Sequence, residues 1–208
     1  MFATADGGQY LGTWKNDLMH ERGREVWGDK SCYKGEYQYG KREGVGEYIW
    51  ADGSRYHGQW KDNQMHGVGY YEFGDGKKYQ GEWFEGRMHG LGVIHYVDGS
   101  IYEGECRDDR RHGFGLYTWA SGKVYRGFWR KGKQHGWSEQ YCGTDKKRCT
   151  RSYWHKGDRL VKEGDPGSQL YFKDSKENRP PPNFEERLLN VRAAVMALGI
   201  NSDALHFT

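Results

Sequence analysis

Aliphatic residues are scarce in this sequence. Only 35% of its 208 residues are hydrophobic, which is thin for a compact spherical core. The longest apolar run is about eight residues, Ala193 to Ile200 with Gly199 inside, against the roughly 20 that a membrane-spanning helix needs. No apolar stretch opens the chain, so no secretory signal is expected. Residue 2 is Phe, and the chain closes on His206-Phe207-Thr208, so neither common terminal lipidation signal is read. The four cysteines, Cys32, Cys106, Cys142 and Cys149, form no Cys-x-x-Cys pair, and such dispersed thiols fit a reducing, cytoplasmic setting. Gly-x-Gly occurs at 44–46, 67–69, 90–92 and 113–115. None of these opens a helix and no G-x-x-x-x-G-K-[ST] exists, so a phosphate-cradling loop is not expected. With no nucleophile–base motif and no kinase or methyltransferase signature, the chain reads as non-catalytic and without a cofactor.

Glycines and rings are abundant instead. There are 32 Gly, 16 Tyr, 9 Trp and 8 Phe; glycine is about twice its average usage of roughly 7%. An aromatic content of 16% argues against disorder. Few aliphatics with many rings and many glycines point to flat side chains packed over bare backbone.

The rings and glycines repeat. Tyr stands at Tyr10, Tyr33, Tyr56, Tyr79, Tyr102 and Tyr125, every 23 residues. Two residues later comes Gly12, Gly35, Gly58, Gly81, Gly104 or Gly127, and two later again Trp14, Tyr37, Trp60, Trp83, Cys106 or Trp129. Eleven after the Tyr stands Glu21, Gly44, Gly67, Gly90, Gly113 or Gly136; thirteen after it, Gly23, Gly46, Gly69, Gly92, Gly115 or Ser138. Both halves of each unit alternate with period two, the signature of strands. A polar turn such as Lys61-Asp62-Asn63-Gln64 separates them, and Asp-Gly at 52–53, 75–76 and 98–99 reads as a second tight turn. Glycine inside a strand weakens it unless something needs the space, so each glycine column is expected to leave room for rings. Lone hairpins are marginal in water; stacked ones stabilise their neighbours. The expected fold is all-β: an elongated, twisted, single-layer antiparallel β-meander of stacked hairpins with a short C-terminal helix. At ~4.8 Å per strand, twelve strands would span roughly 55–60 Å untwisted. The ladder is expected over 9–157. Its last repeats decay, with Ser138, Gln140 and Cys142 replacing Gly and two rings, and Trp154-His155-Lys156-Gly157 echoing Trp129-Arg130-Lys131-Gly132.

The pattern Y-x-G-x-W-x-x-G-x-x-H-G-x-G-x-x-x-x-x-D-G closely resembles the MORN repeat (membrane occupation and recognition nexus), best at Tyr56 to Gly76 and Tyr79 to Gly99. The resemblance covers about residues 9–140. It singles out Tyr56, Gly58, Trp60, Gly67, Gly69, Tyr79, Gly81, Trp83, Gly90 and Gly92 as repeat-defining. It implies a meandering β-sheet and a binding role. Small proteins of MORN repeats plus a short tail are similar to radial-spoke head components. The resemblance therefore implies a structural adaptor for protein partners in a cytoskeletal assembly, at the axoneme of a cilium or flagellum.

Charge is distributed unevenly. Residues 1–122 hold 15 Lys/Arg and 19 Asp/Glu, residues 123–162 hold 12 and 3, and residues 163–208 hold 5 and 7. Arg126, Arg130, Lys131, Lys133, Lys146, Lys147, Arg148 and Arg151 thus make a basic segment, read either as a solvated cap face or as contact with an acidic protein surface or acidic phospholipid. Lipid contact would make the protein a peripheral membrane scaffold. The segment has few aliphatics to anchor it, so that binding would be weak and electrostatic, and the balance favours protein partners. Nucleic acid is not expected, because the rings are needed for packing.

The tail carries a polar and proline-rich linker over 158–182 and then a helix over 183–199. Asn183 is the expected N-cap with Glu186 at the capping-box position, and Gly199 the C-cap. Phe184, Leu188, Val191, Val195 and Leu198 form a one-sided stripe, which either packs on the chain's own sheet or docks on a partner or a second copy. His20, His66, His89, His112 and His135 recur with the repeat, which fits a turn role better than a metal column. Cys142, Cys149 and His155, with His135, match no standard zinc spacing, so no metal is expected.

Overall fold

The computed structural model describes residues 2–3, 7–143, 145–172 and 179–199, without the side chains of 2–3 and 145–148. Fifteen strands run β1 (Phe2–Ala3), β2 (Gln9–Lys15), β3 (Leu18–Val26), β4 (Cys32–Gln38), β5 (Lys41–Ile49), β6 (Arg55–Lys61), β7 (Gln64–Glu72), β8 (Lys78–Phe84), β9 (Arg87–His95), β10 (Ile101–Arg107), β11 (Arg110–Thr118), β12 (Lys123–Arg130), β13 (Lys133–Cys142), β14 (Asp145–His155) and β15 (Asp158–Lys162). A short 3-10 turn, Ser168–Leu170, and helix α1 (Phe184–Met196) follow. The chain divides into two units, Met1–Arg87 with Val191–Thr208, and Met88–Asn190. In the first, β1 to β8 pair antiparallel in chain order. In the second, β9 to β15 do the same. The all-β meander and its short helix are as the sequence implies.

Two kinds of turn alternate. Inside each repeat the strands meet through two residues of positive φ, such as Asp62 and Asn63 at 49° and 67°, or Glu85 and Gly86 at 49° and 77°. This left-handed pair matches the twist of the strands it joins. The Asp-Gly turns between repeats are wider. The Trp50 carbonyl accepts Gly53 N (3.0 Å), and Trp50 N donates to the Ser54 carbonyl (2.9 Å). Gly53 has φ 84°. That is a three-residue hairpin with glycine at its left-handed position, not the two-residue turn the dipeptide suggests.

The glycines answer to two different demands. Within hairpins Gly12 pairs Gly23, Gly35 pairs Gly46 and Gly58 pairs Gly69; between repeats Gly23 pairs Gly35, Gly46 pairs Gly58 and Gly69 pairs Gly81. The result in the first unit is an unbroken row of facing glycines across the strands. Tyr10, Tyr33 and Tyr56 each lie over their own pair. A Cβ at Gly58 or Gly69 would strike the Tyr56 ring, and one at Gly35 or Gly46 the Tyr33 ring. In the second unit the row runs Gly92, Gly104, Gly115, Gly127 and ends on Ser138 and Ser152. The other column is conformational: Gly44, Gly67, Gly90, Gly113 and Gly136 have φ 65°, 63°, 79°, 57° and 68°, and Glu21 adopts 57° in their place. They sit where each hairpin's register shifts, as between Gly58 and Trp60. This column, expected to make room for rings, instead supplies a backbone shape that L side chains disfavour.

The buried tyrosines also complete the bulges. Tyr33, Tyr56, Tyr79, Tyr102 and Tyr125 are fully buried. Each donates its hydroxyl to the carbonyl three residues on, as Tyr56 to Gln59 (2.9 Å) and Tyr102 to Glu105 (2.7 Å). That carbonyl lies at the register shift, where regular ladder pairing lapses. Burial pushes the phenol pKa values of Tyr33, Tyr56 and Tyr125 above the usual tyrosine range. Successive repeats are locked by indoles. Trp60 stands edge-on to both Tyr33 (5.3 Å) and Tyr56 (5.2 Å) and donates Nε1–H to the Gly46 carbonyl (3.0 Å). Trp129 repeats this between Tyr102 and Tyr125, donating to Gly115 (3.3 Å).

The opposite sheet face differs. In the second unit it buries Leu91, Val93 and Phe114, and Phe184 of α1 meets Phe114 edge-to-face at 4.9 Å. In the first unit His57 Nε2 donates to the Leu198 carbonyl (3.1 Å). Asn183 precedes α1 with φ 55° rather than the extended backbone usual at an N-cap, and its carbonyl accepts Arg187 N (2.9 Å). Gly199 closes the helix at φ 74°. The ladder also runs past residue 157, because β15 pairs with β14 and Trp154 donates Nε1–H to Ser138 Oγ (2.9 Å).

Two glycines of one repeat separate these demands. Gly69→Val drives a side chain into the Tyr56 ring, whereas a Cβ at Gly74 meets nothing nearer than the Asp52 carboxylate, at 3.4 Å. Urea melts should show Gly69→Val losing about 1–3 kcal/mol and Gly74→Val clearly less; equal losses would refute the packing account.

Candidate functional site

The ring-bearing face holds two rows. The inner row described above is buried and closes the core. The outer row is half-buried: Trp27, Tyr48, Trp50, Tyr71 and Phe73 in the first unit, Tyr96, Tyr117 and Trp119 in the second. These rings stack in sequence, Trp27 to Tyr48 at 5.3 Å, Tyr48 to Trp50 at 4.5 Å, Trp50 to Tyr71 at 5.1 Å and Tyr71 to Phe73 at 4.3 Å. In the second unit Tyr96 meets Tyr117 at 5.8 Å, and Tyr117 meets Trp119 at 4.9 Å. Arg42 lies over the Tyr48 and Trp60 rings at 5.1 and 4.8 Å, and Arg111 over Tyr117 and Trp129 at 5.0 and 4.3 Å. Each unit therefore presents a strip of half-open rings with a guanidinium laid on it. A cavity of about 500 Å³ lined by Arg111, Tyr117, Trp119 and Trp129 flanks the strip of the second unit. In the first unit, a recess of about 710 Å³ between hairpins is lined by His20, Arg22, Tyr37 and Glu43 among others.

The outer tyrosines are held from the turns. Asp52 Oδ1 accepts Ser54 N (2.9 Å) and Ser54 Oγ (2.6 Å), and Tyr71 donates to Ser54 Oγ (3.4 Å). Asp29, Ser31 and Tyr48 repeat the chain. So do Asp98, Ser100 and Tyr117, with 2.7 Å between the last two hydroxyls. The serine side-chain and backbone donors hold the carboxyl pKa of Asp29, Asp52 and Asp98 below the usual aspartate value. Sequence reading assigned all rings to packing. The Asp-x-Ser spacing in three of the turns was the signal that a second, turn-supported ring row exists.

The residues singled out from the sequence fall in several places. Tyr56, Gly58, Trp60, Gly69, Tyr79, Gly81 and Trp83 form the inner row and its glycines, while Gly67 and Gly90 are left-handed bulge positions; Gly92 pairs Gly104 in the glycine row. Among the described side chains the basic residues do not form one patch. Arg126 is half-buried on the helix-bearing face, 3.7 Å from Glu139 and 3.4 Å from Glu185. Arg151 is held by Glu139 (3.6 Å) and Glu163 (3.5 Å). Arg130, Lys131 and Lys133 are exposed around the β12–β13 turn. Lys146, Lys147 and Arg148 lie in β14, and their side chains are outside the described residues. In the tail stripe Phe184, Leu188 and Val195 are buried and Val191 and Leu198 half-buried.

The histidine column reaches neighbouring turns: His20 Nδ1 accepts Tyr39 N (3.3 Å), and His135 Nδ1 accepts Lys156 N (3.4 Å). Desolvation lowers the pKa of His135 and His112. Among the described residues no group of three His, Cys, Asp or Glu is placed to hold a metal ion. Burial pushes the Cys106 thiol up to about 12, which makes it a poor nucleophile. No described helix is long and apolar enough to cross a membrane.

A family model described as MORN repeat matches residues 10–32, 33–55, 56–78, 79–101, 102–124 and 125–136. Among curated proteins no sequence match is found. Similar solved structures include the TCP domain of SAS-4 (dCPAP) of Drosophila melanogaster, in complex with a proline-rich motif of Ana2 (dSTIL). It has 16% identity over 68% of this chain and 81% of that one, with a TM-score of 0.40. The TCP10 domain of Danio rerio CPAP is similar in a mutant form (12% identity, 73% and 76% covered, TM-score 0.40) and in the wild type (12%, 77% and 97%, TM-score 0.28).

The turn carboxylates carry a pH dependence. Their pKa values are lower folded than unfolded, so the stabilisation is present above the unfolded value of ~3.9 and is lost as pH falls through the folded values. Acid titration of thermal stability should show D29N/D52N/D98N losing less stability than the parent below about pH 4. Parallel curves would show that these turns do not couple to folding.

Proposed function

The chain belongs to the MORN-repeat family, and on that premise we propose that it is a non-catalytic adaptor whose outer aromatic strip binds protein partners. The observation behind this is the division of the rings into two rows. The inner row closes the core, so the outer row, half-open and accompanied by Arg42 and Arg111, is not consumed by folding. Aromatic and arginine side chains dominate the centres of protein interfaces, because they bury much area with few lost rotamers. The assembly we assign is cytoskeletal, with the ciliary or flagellar axoneme and its radial spokes as the site, on the strength of the repeat-plus-tail organisation. In this reading the tail stripe serves the helix-bearing face, and the partner meets the other one. A lipid-binding role through the basic segment draws less support, since Arg126 and Arg151 already engage carboxylates.

Affinity capture from ciliated cells with mass spectrometry tests the proposal. W50A/Y71A should keep the ladder's circular dichroism and lose cytoskeletal partners, at about 2 kcal/mol or more of binding energy. Undiminished capture by the variant, or capture only on acidic vesicles, would overturn it.

A further inference from the structure

The ladder's last repeats lose rings in a specific place. By register, Gln140 facing Thr150 in the β13–β14 pair occupies the position of Tyr117 facing Tyr125 in the β11–β12 pair. Cys142 stands where the pattern puts Trp119, two residues further on. Two outer rings and one inner ring are thus replaced by an amide, a thiol and a hydroxyl. The space they vacate is a cavity of about 530 Å³. Its lining includes Lys123, Arg159 and Lys162 beside Gln140, Cys142 and Thr150, and no carboxylate among the described residues.

The three cations come from two strands, Lys123 from β12 and Arg159 and Lys162 from β15. Lys123 faces Cys142 across β12–β13, with its ammonium 5.4 Å from the Trp119 ring centroid. Lys162 pairs Ser152, and Arg159 pairs Trp154, across β14–β15. Among the described ion pairs none involves these three side chains. The nearby carboxylate of Asp165 accepts the backbone N of Lys162 (2.8 Å). This contrasts with Arg126 and Arg151, which carboxylates hold. Three like charges lining one polar hollow repel one another until an anion enters.

We propose that this hollow binds a phosphorylated side chain of a protein partner. A phosphate monoester carries about −1.5 to −2 charges and three acceptor oxygens. It therefore answers several cations and the neutral donors Gln140 and Thr150 at once, where a carboxylate carries a single charge. The hollow lies on the ring-bearing face beyond Trp119, so a partner lying along the strip of the second unit reaches it. The inference rests on the adaptor reading above, but it depends on different residues.

The probe is the tripeptide glycyl-phosphoseryl-glycine, titrated into the full chain with 15N NMR and calorimetry. Its unphosphorylated and glutamyl analogues and acidic phosphatidylserine vesicles are the comparison arms. The expected result is saturable binding with shifts at Lys123, Gln140, Thr150 and Lys162, for the phosphopeptide alone. K123Q/R159Q/K162Q should weaken it at least tenfold, and the single variant K162Q should weaken it partway if the triple variant melts early. R130Q/K131Q/K133Q removes the same charge from the exposed turn and should leave it unchanged. Absent or non-saturable binding, equal loss in both triple variants, or retention on vesicles without tripeptide binding would each overturn the proposal. Tripeptide binding that survives W50A/Y71A, together with undiminished partner capture by that variant, would instead retain this site and defeat the adaptor reading.

Discussion

Everything in this molecule depends on a tyrosine ring lying over two facing glycines. A flat ring can approach a sheet that closely only where neither strand bears a Cβ, and the register places such a pair beneath Tyr10, Tyr33, Tyr56 and Tyr102. The contact does three things. It buries the ring, it brings the hydroxyl to the carbonyl stranded at the bulge, and it leaves an edge for the next repeat's tryptophan. A protein poor in aliphatic residues thereby builds a core from rings and backbone. Each buried ring brings a large apolar area, and each glycine withholds a side chain that would prevent the contact.

Much of this is legible in the sequence. The 23-residue period and the Tyr-x-Gly-x-Trp alternation specify hairpins, their order and the ring-bearing face. What periodicity could not do was tell one glycine from another. Gly69 and Gly67 are two residues apart and recur with the same period, yet one clears space for Tyr56 and the other holds a left-handed bulge. Glu21, which takes φ 57° in the first repeat, was the clue. A non-glycine can adopt a positive φ at modest cost but cannot vacate space. Asp-Gly likewise reads as a two-residue turn, while the turn here is wider whether Ser54 or Lys77 stands two residues beyond the aspartate. The expected linker hid β15, because Asp158–Lys162 is too polar to advertise a strand.

The candidate site was less visible, for a physical reason. Whether a ring is core or surface depends on its distance from the glycine row, and a period-two pattern assigns all of them to one face without ranking their depth. Tyr48 and Tyr56 look alike in sequence, but one is half-open and held by a serine hydroxyl, the other fully buried and held by a bulge carbonyl. Charge density also misled. The basic segment is real in sequence, but strand alternation sends Arg126 and Arg151 to carboxylates on one face and Lys123 to a polar hollow on the other. The tail stripe was ambiguous because amphipathicity identifies a face that must be covered, not what covers it; Phe114 meets its first residue, Phe184.

A double-mutant cycle between Tyr56 and Gly69 tests the central claim most directly. Gly69 has no positive φ, and the three atoms nearest to a methyl group there all belong to Tyr56. Gly69→Ala should cost about 1–3 kcal/mol in the parent, measured by urea denaturation. In a Tyr56→Leu background, where the ring is gone, most of that cost should vanish, leaving a coupling of at least ~1 kcal/mol. An unchanged cost in both backgrounds would mean that glycine serves the strand itself and not the ring above it.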